Sequence, residues 1–155
     1  MIKILFVCHG NICRSPMAEF VMKDMVKKRG IADNFEIASA ATSTEELGNP
    51  LYPLARRKLA EEGISCSGKT ARQMTAKDYE YYDYIVAMDR NNLRNMQRFV
   101  GTDPDGKVSL LMSHTSTPRD VADPWYTGDF QQTWDDVTAG CKGLLKEFKN
   151  GCHRD

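Results

Sequence analysis

Cys8 and Arg14 are the two residues whose types and spacing most directly indicate chemistry. They bound the segment Cys8-His-Gly-Asn-Ile-Cys-Arg14, which follows an apolar run and precedes Ser15, Pro16 and a helical pattern. The backbone N–H groups of such a loop converge on one point, and the positive end of the next helix faces that point, which forms an anion site. A thiol in that field is favoured as the nucleophilic thiolate. A guanidinium fork can hold two phosphoryl oxygens.

The residues within and after this segment fit the same interpretation. Gly10 permits backbone geometry that a Cβ would forbid, Asn11 can hold the loop open through nearby backbone groups, and Ser15 could donate to the sulfur. The alternative is a buried cysteine at a strand end, because Cys-x5-Arg-Ser also occurs by chance. The preceding strand, the glycine and the proline-started helix favour the anion site. We therefore expect a phosphate-binding set made of His9, Gly10, Asn11, Ile12, Cys13 and Ser15.

A proton donor is also needed when the leaving group is a phenolate, whose conjugate acid has a pKa of about 10. Asp123 is the candidate, because Asp123-Pro124 lies between the last predicted strand and the last predicted helix, on a loop able to overhang the site. Asp120 is the nearest alternative, and an Asp-Pro pair is also common in ordinary turns. Trp125 and Tyr126 could form walls that stack on a substrate ring, or could belong to the core.

An alternation of short apolar runs and helical patterns must position these residues. The apolar runs predict strands over residues 2–7, 35–40, 84–88 and 108–112. Apolar residues at three- and four-residue steps predict helices over residues 16–30, 53–63, 90–99 and 130–148, and a capping pattern predicts a short helix after Thr75. Strands alternating with helices imply a parallel sheet with right-handed crossovers. The predicted fold class is α/β: a single-domain three-layer sandwich over residues 1–155, with a four-stranded parallel sheet, helices on both faces and a phosphate-binding loop after the first strand.

The composition limits the partners and the location. Lysine plus arginine equals aspartate plus glutamate at 21 each, and no basic run is interleaved with aromatics, so we expect no nucleic-acid partner. No apolar stretch approaches the roughly 20 residues that span a bilayer, and the apolar run after Lys3 is too short for a signal-peptide core, so we expect no membrane association. The five cysteines, at positions 8, 13, 66, 141 and 152, form an odd and uneven set, which predicts reduced thiols in the cytoplasm.

The loop and its surroundings resemble a known family. Val7-Cys-His-Gly-Asn-Ile-Cys-Arg-Ser-Pro-Met-Ala-Glu19 looks like the signature of the low-molecular-weight protein tyrosine phosphatases. The similarity continues in order through residues 39–42, 48–50, 71–73, 83–85, 88–89 and 123–126. The resemblance implies metal-free hydrolysis of phosphotyrosine monoesters through a phosphocysteine intermediate, with no cofactor. It also implies a monomer that binds phosphate or other oxyanions in its active site. The expected substrates are phosphotyrosine proteins, and a tyrosine kinase is one candidate substrate.

The resemblance assigns catalytic and wall positions. It makes Cys8 the nucleophile, Arg14 the phosphate clamp and Asp123 the general acid, and it decides against the alternative acid. By the same resemblance, Trp125 and Tyr126 form walls of the substrate slot. Tyr52 is the candidate for a third wall, as a substitute for an aromatic that the family often has nearby.

The resemblance also assigns supporting positions. Asp89 resembles a residue that anchors the phosphate loop through arginine side chains, and Ser39 acts with Asn11 and Ser15 in the network behind the loop. Cys13 resembles a cysteine that can trap an oxidised nucleophile as a reversible disulfide, which would protect Cys8 from irreversible oxidation. The remaining three cysteines are expected to have no special role.

Three departures from the family pattern leave the substrate open. The residue after the nucleophile is usually apolar in the family but is His9 here, and the family often has an aromatic near the place of Thr44-Glu45-Glu46. Many members support the loop with a histidine where this chain has Lys69. The preferred substrate could therefore be phosphotyrosine, phosphoarginine or a small aryl phosphate.

Rival functions have weaker support in the sequence. Residues 63–70 match a nucleotide-binding loop, but such a loop must follow a strand and open a helix, whereas Gly63 ends a predicted helix. An arsenate reductase shares the loop but relays electrons through further cysteines, and residues 67–140 contain none. An inactive phosphotyrosine-binding module would be expected to have lost a catalytic candidate, and all three are present. The histidines, at positions 9, 114 and 153, lack metal-ligand spacing, which predicts no metal site.

Overall fold

The computed structural model describes residues 1–148, in which four parallel strands form one sheet. The strands, in the spatial order β2-β1-β3-β4, are β1 (Ile2–Cys8), β2 (Phe35–Ala41), β3 (Tyr84–Ala87) and β4 (Val108–Leu110). The helices are α1 (Arg14–Lys28), α2 (Pro53–Glu61), α3 (Ala76–Tyr81), α4 (Arg90–Val100), α5 (Pro124–Thr127) and α6 (Phe130–Lys146). Short 3-10 turns lie at Ala32–Asn34 and Leu111–His114. The predicted α/β class and the four-stranded parallel sheet are confirmed.

Helices cover both faces of the sheet, as the side chains of β1 show. Ile4 and Phe6 belong to the core on one face, together with buried residues of α1 and α6. Leu5 and Val7 pack on the other face with buried residues of α3 and α4. Successive side chains of a strand point to opposite faces, so a strand that is covered on both sides requires a continuous apolar run. Residues 4–7 supply that run, and Ile2 before Lys3 is buried as well.

The register of the strands brings the candidate residues to one edge of the sheet. Cys8, the last residue of β1, pairs with Ala41 of β2, and Val7 pairs with Ala87 of β3. The segments that follow these strands therefore begin side by side. Ligands of such sheets bind beyond the carboxyl ends of the strands, and the loop that starts at Cys8 lies at that edge.

Some boundaries differ from the predictions. The strand predicted over residues 108–112 ends at Leu110, because the chain turns there to pack on α6. Gly140 of α6 permits the close approach, since a Cβ at that position would lie 2.3 Å from Cγ of Leu111. The first helix begins before Pro16, which a helix tolerates in its first turn, and α5 was not predicted.

Two absences apply to the part of the chain that the structure describes. Within residues 1–148, no three or more His, Cys, Asp and Glu side chains are grouped so that they could hold a metal ion. In the same range, none of the helices has the length and apolar content that crossing a bilayer requires. Cys152 and His153, which the sequence analysis considered, lie outside the described residues.

Candidate active site

The loop between β1 and α1 curls around the sulfur of Cys8. The backbone N–H of Asn11 donates to Sγ over 3.3 Å, and the hydroxyl of Ser15 lies 2.9 Å from the same atom. Asn11 makes the tight curl possible because it adopts a left-handed conformation with φ of 60°, which asparagine tolerates better than most residues. The 15-residue helix α1 starts at Arg14, so its positive end points into the loop.

The Asn11 side chain fixes this geometry from behind. Its amide nitrogen donates to the hydroxyl oxygens of Ser15 over 2.8 Å and Ser39 over 2.9 Å, and its carbonyl oxygen accepts from the backbone N–H of Arg72. The sequence analysis expected bonds to backbone groups, and two of the three partners are instead side-chain hydroxyls. Because the Ser15 oxygen accepts from Asn11, its own O–H is free to donate to the Cys8 sulfur. That polarity stabilises a thiolate.

Behind Ser39 lies a buried charged pair. The Ser39 hydroxyl donates to the carboxylate of Glu19 over 2.6 Å, and the Lys69 ammonium donates to the Ser39 carbonyl oxygen over 2.9 Å. Lys69 Nζ also lies 3.6 Å from Glu19. Burial lowers the pKa of Lys69, and the Glu19 carboxylate opposes that change. Lys69 thus joins the network at the point where the sequence departs from the family pattern. The role of Glu19 was not foreseen, although a buried acid within an apolar helix face is a signal for it.

Arg14 is held by two fixed acceptors. Only 3% of its side chain is exposed, and its guanidinium donates to the Asp89 carboxylate over 2.7 Å and to the Val121 carbonyl oxygen over 2.8 Å. The other oxygen of Asp89 accepts from the backbone N–H of Asn92 and caps α4. The arginine is therefore oriented by groups outside the loop. The sequence analysis placed Asp89 in contact with an arginine, and the structure shows which one.

Asp123 stands at the entrance to the loop. One of its carboxylate oxygens accepts from the backbone N–H of Trp125 over 3.0 Å, which caps the short helix α5, and the other lies 3.5 Å from the Arg14 guanidinium. Asp120, the alternative acid, accepts instead from the backbone N–H of Arg90. Asp120 does not line the cavity that contains Cys8, whereas Asp123 does.

This cavity, which we call the catalytic cavity, has a volume of about 260 Å³. Trp125 and Tyr126, which are 60% and 86% exposed, form part of its rim rather than part of the core. Among the predicted site residues, Ser15, Ser39 and Asp89 lie behind the cavity wall. The lining residues are Cys8, His9, Gly10, Asn11, Ile12, Cys13, Arg14, Glu45, Glu46, Asp123, Trp125 and Tyr126.

Tyr52 lies behind Trp125, which is itself part of the cavity rim. Its ring packs edge-to-face on Trp125 at 5.3 Å and stacks on Phe130 at 5.9 Å between ring centroids, while its backbone N–H donates to the Ile12 carbonyl oxygen. Tyr52 is not among the lining residues. Its contacts support Trp125 and the loop, and its predicted role as a wall stays a prediction.

The catalytic cavity is also lined by two acidic residues. Glu45 and Glu46 line the cavity, and the Glu45 carboxylate lies 2.9 Å from Nε2 of His9. Both members of this pair are exposed. His9 and Glu45 are separate departures from the family pattern in the sequence, and their contact could not be predicted because 36 positions separate them in the chain.

The second cysteine of the loop differs from Cys8 in its surroundings. Burial raises the pKa of Cys13 to about 12, and the nearby Cys8 and Asp123 add to the effect. Cys13 is therefore a protonated thiol at neutral pH and a poor nucleophile. Within residues 1–148, Cys8, Cys13, Cys66 and Cys141 are all free of disulfides.

Known proteins are similar to this chain in sequence and in fold. The family model described as low molecular weight phosphotyrosine protein phosphatase matches residues 3–153. The chain is 38% identical over 151 residues to the low molecular weight protein-tyrosine-phosphatase YfkJ of Bacillus subtilis, covering 96% of this chain and 97% of that protein. It is 36% identical over 149 residues to the low molecular weight phosphotyrosine protein phosphatase of Rattus norvegicus, covering 93% and 94%. The crystal structure of YfkJ superposes with a TM-score of 0.91 at 37% identity, covering 94% of this chain and 93% of that one.

Proposed function

Because the chain belongs to the low molecular weight phosphotyrosine protein phosphatase family, we propose that it hydrolyses phosphotyrosine in proteins through a phosphocysteine intermediate, without a metal. The observation that carries the proposal is that Cys8, Arg14 and Asp123 line one cavity at the carboxyl edge of the sheet. A nucleophile, an anion clamp and a proton donor thus share one entrance. The residue roles follow from the distances around each of them.

In the first step, the Cys8 sulfur attacks phosphorus in line with the departing phenolic oxygen. A sulfur–phosphorus bond forms and the phosphorus–oxygen bond breaks, while Arg14 and the loop N–H groups bind the three equatorial oxygens. Asp123, at the cavity entrance, donates its proton to the phenolic oxygen. The Ser15 hydroxyl, 2.9 Å from the sulfur, holds the thiolate ready for attack.

In the second step, water replaces the sulfur. Asp123, now a carboxylate, takes a proton from the water molecule that attacks phosphorus, and Cys8 leaves as a thiolate. The hydrogen bonds from Ser15 and from the Asn11 backbone N–H to the sulfur stabilise that leaving group. Cys8, Asp123 and Ser15 therefore act in both displacements.

No metal is needed in this proposal because fixed donors supply the positive charge. Arg14 is buried and held by Asp89 and Val121, so its guanidinium requires little rearrangement to bind a phosphoryl group. Preorganised donors of this kind stabilise developing charge without a divalent cation. The walls formed by Trp125 and Tyr126 favour an aromatic leaving group.

The experiment for this function measures phosphate release from matched peptides in excess EDTA. We expect rapid hydrolysis of a phosphotyrosine peptide, and slower release from phosphoserine and phosphoarginine peptides, which lack the ring that the exposed aromatics contact. Hydrolysis that requires an added divalent cation would contradict the metal-free mechanism. A preference for phosphoarginine would mean that the substrate is phosphoarginine rather than phosphotyrosine, and it would not contradict the cysteine mechanism.

Reversible oxidation is a second property that the cavity supports. Hydrogen peroxide converts the Cys8 thiolate to a sulfenic acid, and Cys13, which lines the same cavity, can displace water from it to form a disulfide. Dithiothreitol then reduces the disulfide and restores both thiols. We expect peroxide-treated protein to regain activity with dithiothreitol, and a Cys13→Ser variant to regain less.

The pH dependence of this protection follows from the pKa of Cys13. Because that pKa is raised to about 12, the attacking thiolate is scarce at neutral pH and increases with pH. The fraction of activity that is recovered should therefore rise between about pH 6 and about pH 8. Cys66→Ser is the matched control, since Cys66 is buried outside the catalytic cavity. Equal recovery by wild type and Cys13→Ser would contradict the trapping role.

Other predictions stay open. A monomer, a cytoplasmic location and a tyrosine kinase partner follow from the family resemblance or the cysteine pattern, and we propose them on that basis alone. The nucleotide-binding alternative loses support because Gly63 follows helix α2 and residues 64–75 lie between that helix and α3. The loop thus lacks the strand that such a motif requires.

A further inference from the structure

A second cavity, which we call the basic cleft, adjoins the catalytic cavity. It has a volume of about 350 Å³ and lies between the end of β2 and helix α4. His9, the residue after the nucleophile, lines both cavities. The lining residues of the basic cleft are His9, Thr42, Ser43, Arg94, Asn95 and Arg98.

The cleft carries two positively charged side chains. Arg94 and Arg98 are exposed and lie one turn apart on α4. Arg94 donates to the side-chain oxygen of Asn91 and Arg98 donates to the backbone oxygen of Thr42, and both acceptors are neutral. Within residues 1–148, neither arginine forms an ion pair with a carboxylate. The chain as a whole has a formal net charge of zero, so this concentration of charge is local.

The two arginines also act on each other. Like charges four residues apart on a helix repel each other, and within residues 1–148 neither guanidinium has a carboxylate within salt-bridge distance. The face of the Phe99 ring, 4.7 Å from the Arg98 guanidinium, helps to hold that side chain in place. Two oriented guanidinium forks are the donor set that binds phosphoryl and carboxylate groups.

An independent observation at the same place is an unsatisfied hydroxyl. Thr42 is buried, and within residues 1–148 its hydroxyl is the only buried side-chain oxygen or nitrogen without a hydrogen-bond partner. Buried polar groups are nearly always paired, so each exception calls for an explanation. Thr42 lines the basic cleft, so this unsatisfied hydroxyl belongs to a residue of the cleft wall.

We propose that the basic cleft binds a second anionic group of the phosphotyrosine substrate, either a phosphoryl group or an acidic side chain. The site would select peptides in which this group lies within about three residues of the phosphotyrosine, because His9 lines both cavities and an extended chain advances roughly 3.3–3.6 Å per residue. Glu45 and Glu46 on the rim of the catalytic cavity would repel the same group. The acidic rim and the basic cleft together orient the peptide. This inference rests on the proposed phosphotyrosine phosphatase activity.

The test compares kcat/KM for three phosphotyrosine peptides that differ at one neighbouring position: phosphoserine, glutamate or glutamine. We expect wild type to prefer phosphoserine over glutamine by about 5- to 30-fold, with glutamate between them, because two arginines contact a charged group. In Arg94→Gln/Arg98→Gln protein the preference should fall to within about twofold. Hydrolysis of p-nitrophenyl phosphate, which has no second anion, should be unchanged. The preference in wild type should also weaken as salt increases.

Matched variants separate this effect from general loss of charge. Arg29→Gln/Arg57→Gln removes two exposed arginines that line neither cavity and should keep the preference. Arg94→Gln alone leaves the Arg98 contact to Thr42 intact and should lose part of the preference, even if the double variant folds poorly.

Two results would overturn the proposal: no discrimination among the peptides by wild type, or full discrimination by the Arg94→Gln/Arg98→Gln protein. Binding of the same peptides to Cys8→Ser protein, measured by calorimetry, tests the cleft without turnover. If the cleft prefers the second anion in that assay but no peptide is hydrolysed by wild type, the proposed activity fails and the binding site stands. If hydrolysis occurs without any preference, only the cleft proposal fails.

Discussion

Replacing Cys8 by serine should lower the turnover of p-nitrophenyl phosphate by roughly 10⁴-fold or more. Serine has a side chain of similar size but is a far weaker nucleophile than cysteine. A serine hydroxyl keeps its proton at neutral pH, and the neutral hydroxyl attacks phosphorus much more slowly than a thiolate does. The hydrogen bonds that reach the sulfur from Ser15 and from the Asn11 backbone have an oxygen acceptor in the variant, so the loop should keep its shape. Initial rates at saturating substrate, with excess EDTA and fresh reductant, measure the effect.

The matched control is Cys66→Ser, which changes the same atom in a buried cysteine outside the catalytic cavity. Its turnover should stay within about twofold of wild type. Binding of inorganic phosphate to Cys8→Ser, measured by calorimetry, shows whether the loop is intact. Turnover by Cys8→Ser within tenfold of wild type would mean that the reaction does not pass through Cys8.

Replacing Asp123 by asparagine should lower kcat/KM by roughly 10²–10⁴-fold for phenyl phosphate and by less for p-nitrophenyl phosphate. Phenolate is the poorer leaving group and depends more on the proton from the acid. Asparagine can still accept the hydrogen bond from the Trp125 backbone N–H, so α5 should remain capped. The measurement is kcat/KM for a series of aryl phosphates, because kcat/KM reports the first displacement. The variant should show a steeper dependence of kcat/KM on the leaving group.

Asp120→Asn is the control for this prediction, since Asp120 is the nearest alternative acid in the chain. It accepts from the Arg90 backbone N–H and lies outside the catalytic cavity, so its loss should change kcat by less than about threefold. A large loss of activity in Asp120→Asn with little loss in Asp123→Asn would mean that Asp120, and not Asp123, is the general acid.

The parts of the site that the sequence predicted are those encoded by neighbouring residues. The strand, the loop and the helix that surround Cys8 and Arg14 are contiguous, so the apolar run, Gly10 and Pro16 together indicated an anion site. The α/β class followed from the alternation of elements for the same reason. Such units can be predicted because their residues are adjacent in the chain.

The parts that the sequence did not predict depend on contacts between distant segments. Glu19 meets Ser39 and Lys69 only after β2 has paired with β1, and no local pattern marks Lys69 as a partner. The basic cleft similarly joins α4 to the segment after β2. Helix α5 was missed because four residues are too few for a periodic pattern, although Asp123 and Pro124 form a recognisable start.

The phosphocysteine is tested most directly in the Asp123→Asn variant mixed with p-nitrophenyl phosphate. p-Nitrophenolate leaves readily without a proton donor, so the first displacement should proceed, whereas the second displacement lacks its base. Acid quenching followed by peptide mass spectrometry should find one phosphoryl group per molecule, on Cys8, and none in Cys8→Ser/Asp123→Asn protein. A phosphoryl group on any other residue, or no phosphoenzyme at any time during demonstrated turnover of this variant, would contradict the mechanism.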